Sequence, residues 1–238
     1  MQQQVFFHHW QTISYTKAWA QQQQMLNETV KIKLYNREAG TKKWIPHHLI
    51  FCEHYPVFTL GRSGAMSHLL LNETELLERK IEFYKINRGG DITFHGLGQI
   101  VAYPIFDLEE FFTDVHRYVR CLEEVIILTL AEYNLVGIRV PNYTGIWIDA
   151  DEKNIKKRKI CAIGVHLSRW VTMHGLAFNI NTDLSYFDHI IPCGIADADK
   201  AVTSLQQELG YAVSLEKVAY QLKKYFSQVF DFQYIKND

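Results

Sequence analysis

A cysteine and a lysine carry the most reactive chemistry this sequence offers. Cys193 stands in Ile191-Pro192-Cys193-Gly194-Ile195, and Lys159 opens the apolar run Lys159-Ile160-Cys161-Ala162-Ile163-Gly164-Val165. An unperturbed thiol has a pKa near 8.5, so only a few per cent is thiolate at pH 7. A neighbouring ammonium favours the anion, and a fall of about two pKa units, roughly 3 kcal/mol, makes the thiolate the main form. Pro192 and Gly194 put Cys193 on an irregular segment, from which a side chain can be presented into a cleft. The plain alternative is a packing cysteine in a tight turn, the commoner role of a free thiol. Cys161 is a rival nucleophile, because on a strand it would face the same way as Lys159, although its apolar neighbours favour core packing. Cys52 and Cys121 read as core.

Two glycine-containing stretches could receive a substrate. In Arg88-Gly89-Gly90-Asp91-Ile92-Thr93-Phe94-His95-Gly96-Leu97-Gly98-Gln99, four glycines permit close approach of a ligand to the main chain. The pattern is neither GxxxxGK[ST] nor GxGxxG, so it does not specify a nucleotide site. A β-hairpin with a Gly-Gly turn explains it equally well. His95 fits a core hydrogen-bonding residue, a general base or a ligand orienter. The second stretch is His174-Gly175-Leu176-Ala177-Phe178-Asn179. A basic run, Lys153, Lys156, Lys157, Arg158 and Lys159, reads either as a solvated hairpin tip or as a dock for an acidic carrier protein.

The elements that must position these residues follow from patterning. The clearest helix begins near Asp114, with Val115, Val119, Leu122, Ile126, Leu130 and Tyr133 on one face and Gly137 beyond its end. A last helix is capped by Ser214 and turns Leu215, Val218, Leu222, Tyr225 and Val229 inward. A first helix is expected over about 15–35, with the glutamines at 21–24 as an exposed turn, followed by a polar hairpin loop at 36–43. Asn72 and Glu75 form a capping box. Strands are expected at 48–53, 82–87, 100–106, 138–140, 145–149, 160–167 and 175–180, with 151–158 as a hairpin tip. This order is mixed, which predicts an α+β (mixed α/β) fold, a mixed sheet flanked by helices, with 1–238 as one domain.

The totals exclude several classes. The 238 residues are 47% apolar with a formal net charge of −1, which gives no support to nucleic-acid binding through bulk electrostatics and leaves room only for a local basic patch. No apolar run approaches the ~18 residues of a membrane span. The first ten residues lack the features of a signal or transit peptide, so the expected location is cytoplasmic. The four cysteines show no CxxC spacing, so no zinc site is expected.

Taken together, five stretches resemble the octanoyltransferase family, also called lipoate-protein ligase B. They are Glu53-His54-Tyr55-Pro56-Val57-Phe58-Thr59-Leu60-Gly61, the Arg88 to Gln99 stretch, Lys159-Ile160-Cys161-Ala162-Ile163-Gly164, the His174 to Asn179 stretch, and Pro192-Cys193-Gly194, in the family's order. The resemblance implies a fold like the catalytic domain of biotin protein ligase and lipoate ligase. It also implies transfer of an octanoyl group from acyl carrier protein to a lysine of lipoyl domains, those of 2-oxoacid dehydrogenases or the glycine cleavage H protein. The family's acyl-thioester cysteine falls on Cys193, and the lysine that lowers its pKa falls on Lys159. Its substrate-lining segments fall on Arg88, Gly89, Gly90, Asp91, Ile92, Thr93, Phe94 and His95, on Ala162, Ile163 and Gly164, and on Gly175, Leu176 and Ala177. Leu97 stands where the family usually has proline, a change that could loosen the turn there. In the related ATP-dependent lipoate ligases a His-Asp pair follows the glycine stretch and the cysteine is absent; here Gly96 follows His95, and Cys193 is present. The expected reaction is a two-step acyl transfer without metal, ATP or other cofactor, with His95 in the pocket wall. An ATP-dependent lipoate or biotin ligase, a thiol hydrolase and a non-catalytic carrier-binding module are the competing classes.

Overall fold

The fold is described from a computed structural model over residues 2–152, 154–191 and 199–235. Cys193 and Lys153, both singled out above, lie outside the described residues.

In chain order the elements are β1 (Gln3–Ile13), α1 (Tyr15–Ala39), β2 (His47–His54), β3 (Val57–Leu60), α2 (Glu73–Glu78), β4 (Glu82–Lys85), β5 (Ile92–His95), β6 (Gln99–Ile105), α3 (Val115–Ala131), β7 (Gly137–Val140), β8 (Tyr143–Ile148), β9 (Lys157–Ser168), β10 (Val171–Asn179), β11 (Lys200–Val202), α4 (Leu205–Leu209), α5 (Leu215–Phe230) and β12 (Phe232–Ile235). The large mixed sheet runs β12-β1-β2-β6-β10-β9-β8-β7, and β11 also pairs with β9. A small sheet, β4-β3-β5, stands beside it. The expected α+β class is what the structure has.

Local chemistry explains most boundaries. Asp114 and Ser214 accept from the third backbone N–H of α3 and α5, and Asn72 and Glu75 form the full reciprocal box of α2. Helix α5 buries Val218, Leu222, Tyr225, Phe226 and Phe230, and α3 buries Leu122, Val125, Ile126 and Leu130; both pack on one face of the large sheet. The other face is covered by Ala18, Leu26 and Val30 of α1.

Several expectations need correction. Helix α1 continues to Ala39 and stops at Gly40 in the left-handed conformation (φ 61°), so no hairpin loop begins at 36. It is a crossover, since β1 and β2 are parallel. The glutamine turn is not wholly exposed: Gln22 is buried and its Oε1 accepts from the N–H of His174, 3.1 Å away. Val115 is exposed, and α3 ends well before Gly137, which begins β7. Gly89-Gly90 is not a hairpin turn, because β4 and β5 pair with opposite edges of β3 rather than with each other. Nor is 151–158 wholly a tip, because β9 starts at Lys157.

Candidate active site

Strands β9 and β10 bring two of the nominated stretches into direct register. Gly164 faces Gly175, Ile163 faces Leu176, and Ala162 faces Ala177. A side chain at Gly175 would strike the Ala102 carbonyl of neighbouring β6 at 2.2 Å. At Gly164 a Cβ would lie 2.8 Å from the Gly89 carbonyl, so a hydrogen at 164 lets the Arg88–Asp91 loop lie flat on β9. The Gly89 N–H donates to Val165 O at 2.9 Å and secures that contact.

Between the loop and the strands lies a cavity of about 270 Å³. Arg88, Gly89, Gly90, Asp91, Ile92, Thr93 and His95 line it, with Ala162, Ile163, Gly164, Gly175, Leu176, Ala177 and Lys159. Phe94 does not. Its ring turns the other way from β5, packs with Phe58, and stacks on Tyr186 with 4.4 Å between centroids.

Lys159 reaches this wall through a local irregularity. Cys161 pairs with Ile146, but Lys159 pairs with Trp147, so two steps along β9 match one along β8. This is a β-bulge at Ile160, a device that re-aims side chains. Ile160 and Cys161 both enter the core, whereas Lys159 lines the cavity with Nζ 4.7 Å from the ring centroid of Trp147. Cys161 therefore does not share Lys159's face as expected, and burial pushes its thiol pKa up. Val202 of β11 pairs with Lys159, and the Thr203 N–H donates to the Lys159 carbonyl at 2.9 Å.

The basic run does not form one surface. Arg158 is buried and binds Glu208 in a bidentate pair at 2.8 and 3.0 Å, while Lys159 turns into the cavity. Lys156 is exposed, and Lys157 pairs with Asp149 at 3.4 Å.

Beneath the cavity runs a buried polar chain. The His95 Nδ1 donates to Gln99 Oε1 at 2.8 Å, since the Gln99 amide nitrogen is already directed at Phe94 O and Asn179 Oδ1. The other ring nitrogen of His95 lies 3.3 Å from the Thr59 hydroxyl, and Arg88 Nη2 donates to that hydroxyl and to Thr59 O. Burial, then repulsion from His54, holds the His95 pKa well below the usual value, so the ring is neutral at pH 7 with both nitrogens engaged. Burial likewise takes His54 down to about 4, where it donates to Ile13 O and accepts from Tyr103. His174, at φ 61°, falls to about 3 through burial and the nearby Arg88.

Further residues that the sequence does not single out as substrate-lining also line the cavity, among them Tyr15, Gln99, Tyr103, Tyr143, His174 and Asn179. Gln99, His174 and Asn179 stood inside the quoted stretches. Tyr15, Tyr103 and Tyr143 carry no local signal, because three distant elements bring them together.

Residues 14–227 match the model of the lipoyl protein ligase A/B catalytic domain. Among solved structures, a bi-partite lipoate protein ligase from Thermoplasma acidophilum shares the fold, with a TM-score of 0.71 at 14% identity over 98% of this chain and 86% of that one. The class defined here is thus the lipoyl protein ligase A/B catalytic domain. An octanoyltransferase from Flavobacterium psychrophilum is 54% identical, covering 91% of this chain and 92% of its own. One from Cytophaga hutchinsonii is 51% identical over 92% and 89%. The chain belongs to the octanoyltransferase family.

Proposed function

We propose that the protein, acting as one catalytic unit, transfers an octanoyl group from acyl carrier protein to a lysine of lipoyl domains, through a thioester on Cys193. The observation that carries this reading is the position of Lys159. A bulge turns it out of a core strand and into the cavity that the glycine loop and the paired β9 and β10 stretches line. A lysine in that position is suited to stabilising a thiolate and then to moving a proton.

In the first step the Cys193 thiolate attacks the carrier thioester carbonyl, and the carrier sulfur leaves as a thiolate. Lys159 gives it a proton, so the carrier departs as a thiol. The neutral Lys159 next takes a proton from the acceptor lysine's ammonium. The freed amine attacks the acyl-enzyme, Cys193 leaves as a thiolate, and the surplus proton on the new amide passes to water. The thioester supplies the driving force, so no nucleotide is consumed. His95 serves as wall and orienter rather than base, because its neighbours occupy both ring nitrogens. Each buried methylene contributes about 0.8 kcal/mol, so an octanoyl tail in the cavity would contribute on the order of 5 kcal/mol.

A cytoplasmic address belongs to the same reading. Among the described residues no helix is long and apolar enough to cross a membrane. The test is transfer from octanoyl carrier protein to a lipoyl domain in the absence of ATP, by the native protein and by Cys193→Ser. Octanoylated domain with the first and none with the second is expected. A requirement for ATP with pyrophosphate release, or free octanoate as the sole product, would overturn the reading.

A further inference from the structure

The loop after β3 is tied at one end to the glycine stretch. Gly61, Arg62 and Ser63 donate their backbone N–H groups to the carbonyls of Asp91, Arg88 and Gly90 at 3.2, 3.0 and 3.2 Å. The same loop then makes a short 3-10 turn at Met66–His68. There the His68 imidazole Nδ1 donates to Asp91 Oδ2 at 2.5 Å, while the other oxygen of this buried carboxylate accepts from Ile92 N at 2.7 Å. A carboxylate can only accept, so Nδ1 carries the proton.

The backbone of this turn holds a third part of the molecule. His68 O accepts from Ile191 N at 2.8 Å, Leu69 forms a β-bridge with Ile190, and Leu70 N donates to His189 O at 3.0 Å. Ile191 precedes Cys193 by two residues. His68 thus grips the cavity loop with its side chain, and with its carbonyl the point from which the chain departs for Cys193. Asp91 and Phe187, from the two gripped parts, both line the cavity.

We propose that His68 is a positioning residue for acyl transfer: its clasp on Asp91 and its bond to Ile191 set the departure point of the Cys193 segment against the glycine loop. The inference rests on the reading of Cys193 as the nucleophile. The clasp acts on alignment of an acyl group with the sulfur, not on the sulfur's own reactivity. A small alkylating reagent needs no such alignment, which separates the two effects.

The experiment compares native protein with His68→Ala and His68→Asn, whose amide nitrogen can replace Nδ1 as the donor. The rate of octanoyl adduct formation on Cys193 is followed by quenched mass spectrometry, and iodoacetamide alkylation of Cys193 is followed in parallel. In His68→Ala, acylation should fall at least about tenfold while alkylation stays within about twofold; in His68→Asn, acylation should return to within about threefold of native. Native acylation in His68→Ala, equal losses in the alanine and asparagine variants, or an alkylation rate that falls in step with acylation would each overturn the proposal. If His68→Ala does not fold, His68→Leu, which keeps bulk but no donor, carries the same expectation and the same refutations. Absence of any adduct on native Cys193 would remove the nucleophile reading and this proposal with it, whereas a native adduct with no effect at His68 removes the clasp alone.

Discussion

Replacing Lys159 by methionine removes one charge from the cavity wall at nearly constant side-chain length. The methionine can still lie on the Trp147 ring, which Nζ approaches to 4.7 Å, so the packing around the bulge is kept. For the thiolate to be the main form at pH 7, the Cys193 pKa must fall by about two units, a differential stabilisation of roughly 2.7 kcal/mol. With an effective dielectric of about 20, a unit positive charge supplies that energy at about 6 Å. The account therefore requires Lys159 Nζ and Cys193 Sγ to approach within about that distance. In Lys159→Met the midpoint of iodoacetamide alkylation against pH should rise from about 6.5 to about 8.5. At pH 7 the thiolate fraction falls roughly 25-fold, but a thiolate of higher pKa is more nucleophilic, which returns a factor of about eight. The net change in rate at pH 7 is then only about threefold, so the full pH profile is the informative assay. A midpoint that does not move on loss of the ammonium would refute the role given to Lys159.

Three further predictions follow from named contacts. In Gly164→Val the Cβ would meet the Gly89 carbonyl at 2.8 Å and lift the glycine loop from β9, so octanoyl transfer should drop more than about tenfold in a steady-state assay; unchanged transfer would place the acyl site elsewhere. Arg158→Met leaves the buried Glu208 carboxylate without its guanidinium and should cost on the order of 3 kcal/mol in urea unfolding, whereas Lys156→Glu on the exposed side should cost less than about 0.5 kcal/mol. Acid should also destabilise the fold. Burial lowers the His54 pKa from the ordinary histidine value of about 6.5 to about 4, so its stabilising effect is complete above about 6.5 and is lost as pH falls toward 4, on the order of 3 kcal/mol. The native melting temperature should drop across that window, and His54→Gln should flatten the drop; an equally steep profile in the variant would discount His54.

The helices were legible because their signals are local. Asn72 and Ser214 are capping residues in sequence and in space, the helix expected near Asp114 begins there, and the inward face of α5 repeats every three or four residues. Strand β1 escaped because Gln3–Ile13 lacks clean alternation. The Gly89-Gly90 pair misled because the choice between a hairpin and insertion of β3 between β4 and β5 is made by distant pairing. For the site, the residue stretches could be read from the resemblance, but their meeting could not. The opposition of Gly164 to Gly175 is a register, and the aim of Lys159 depends on a bulge answered by Gly145 across the strand pair, whose φ of 119° suits glycine and whose Cβ would strike Cys161 O at 2.4 Å. The same bulge is why the two-residue spacing wrongly put Cys161 beside Lys159.

The central claim is that the sulfur of Cys193, not the buried sulfur of Cys161 two residues from Lys159, becomes acylated. Incubation of the purified protein with octanoyl carrier protein in the absence of acceptor, followed by acid quench, proteolysis and peptide mass mapping, tests it directly. The account predicts one octanoyl group, labile to hydroxylamine, on the peptide that contains Cys193, and none on the peptide that contains Cys161. An octanoyl group found on Cys161, or transfer to a lipoyl domain that proceeds with no covalent adduct at Cys193, would contradict it.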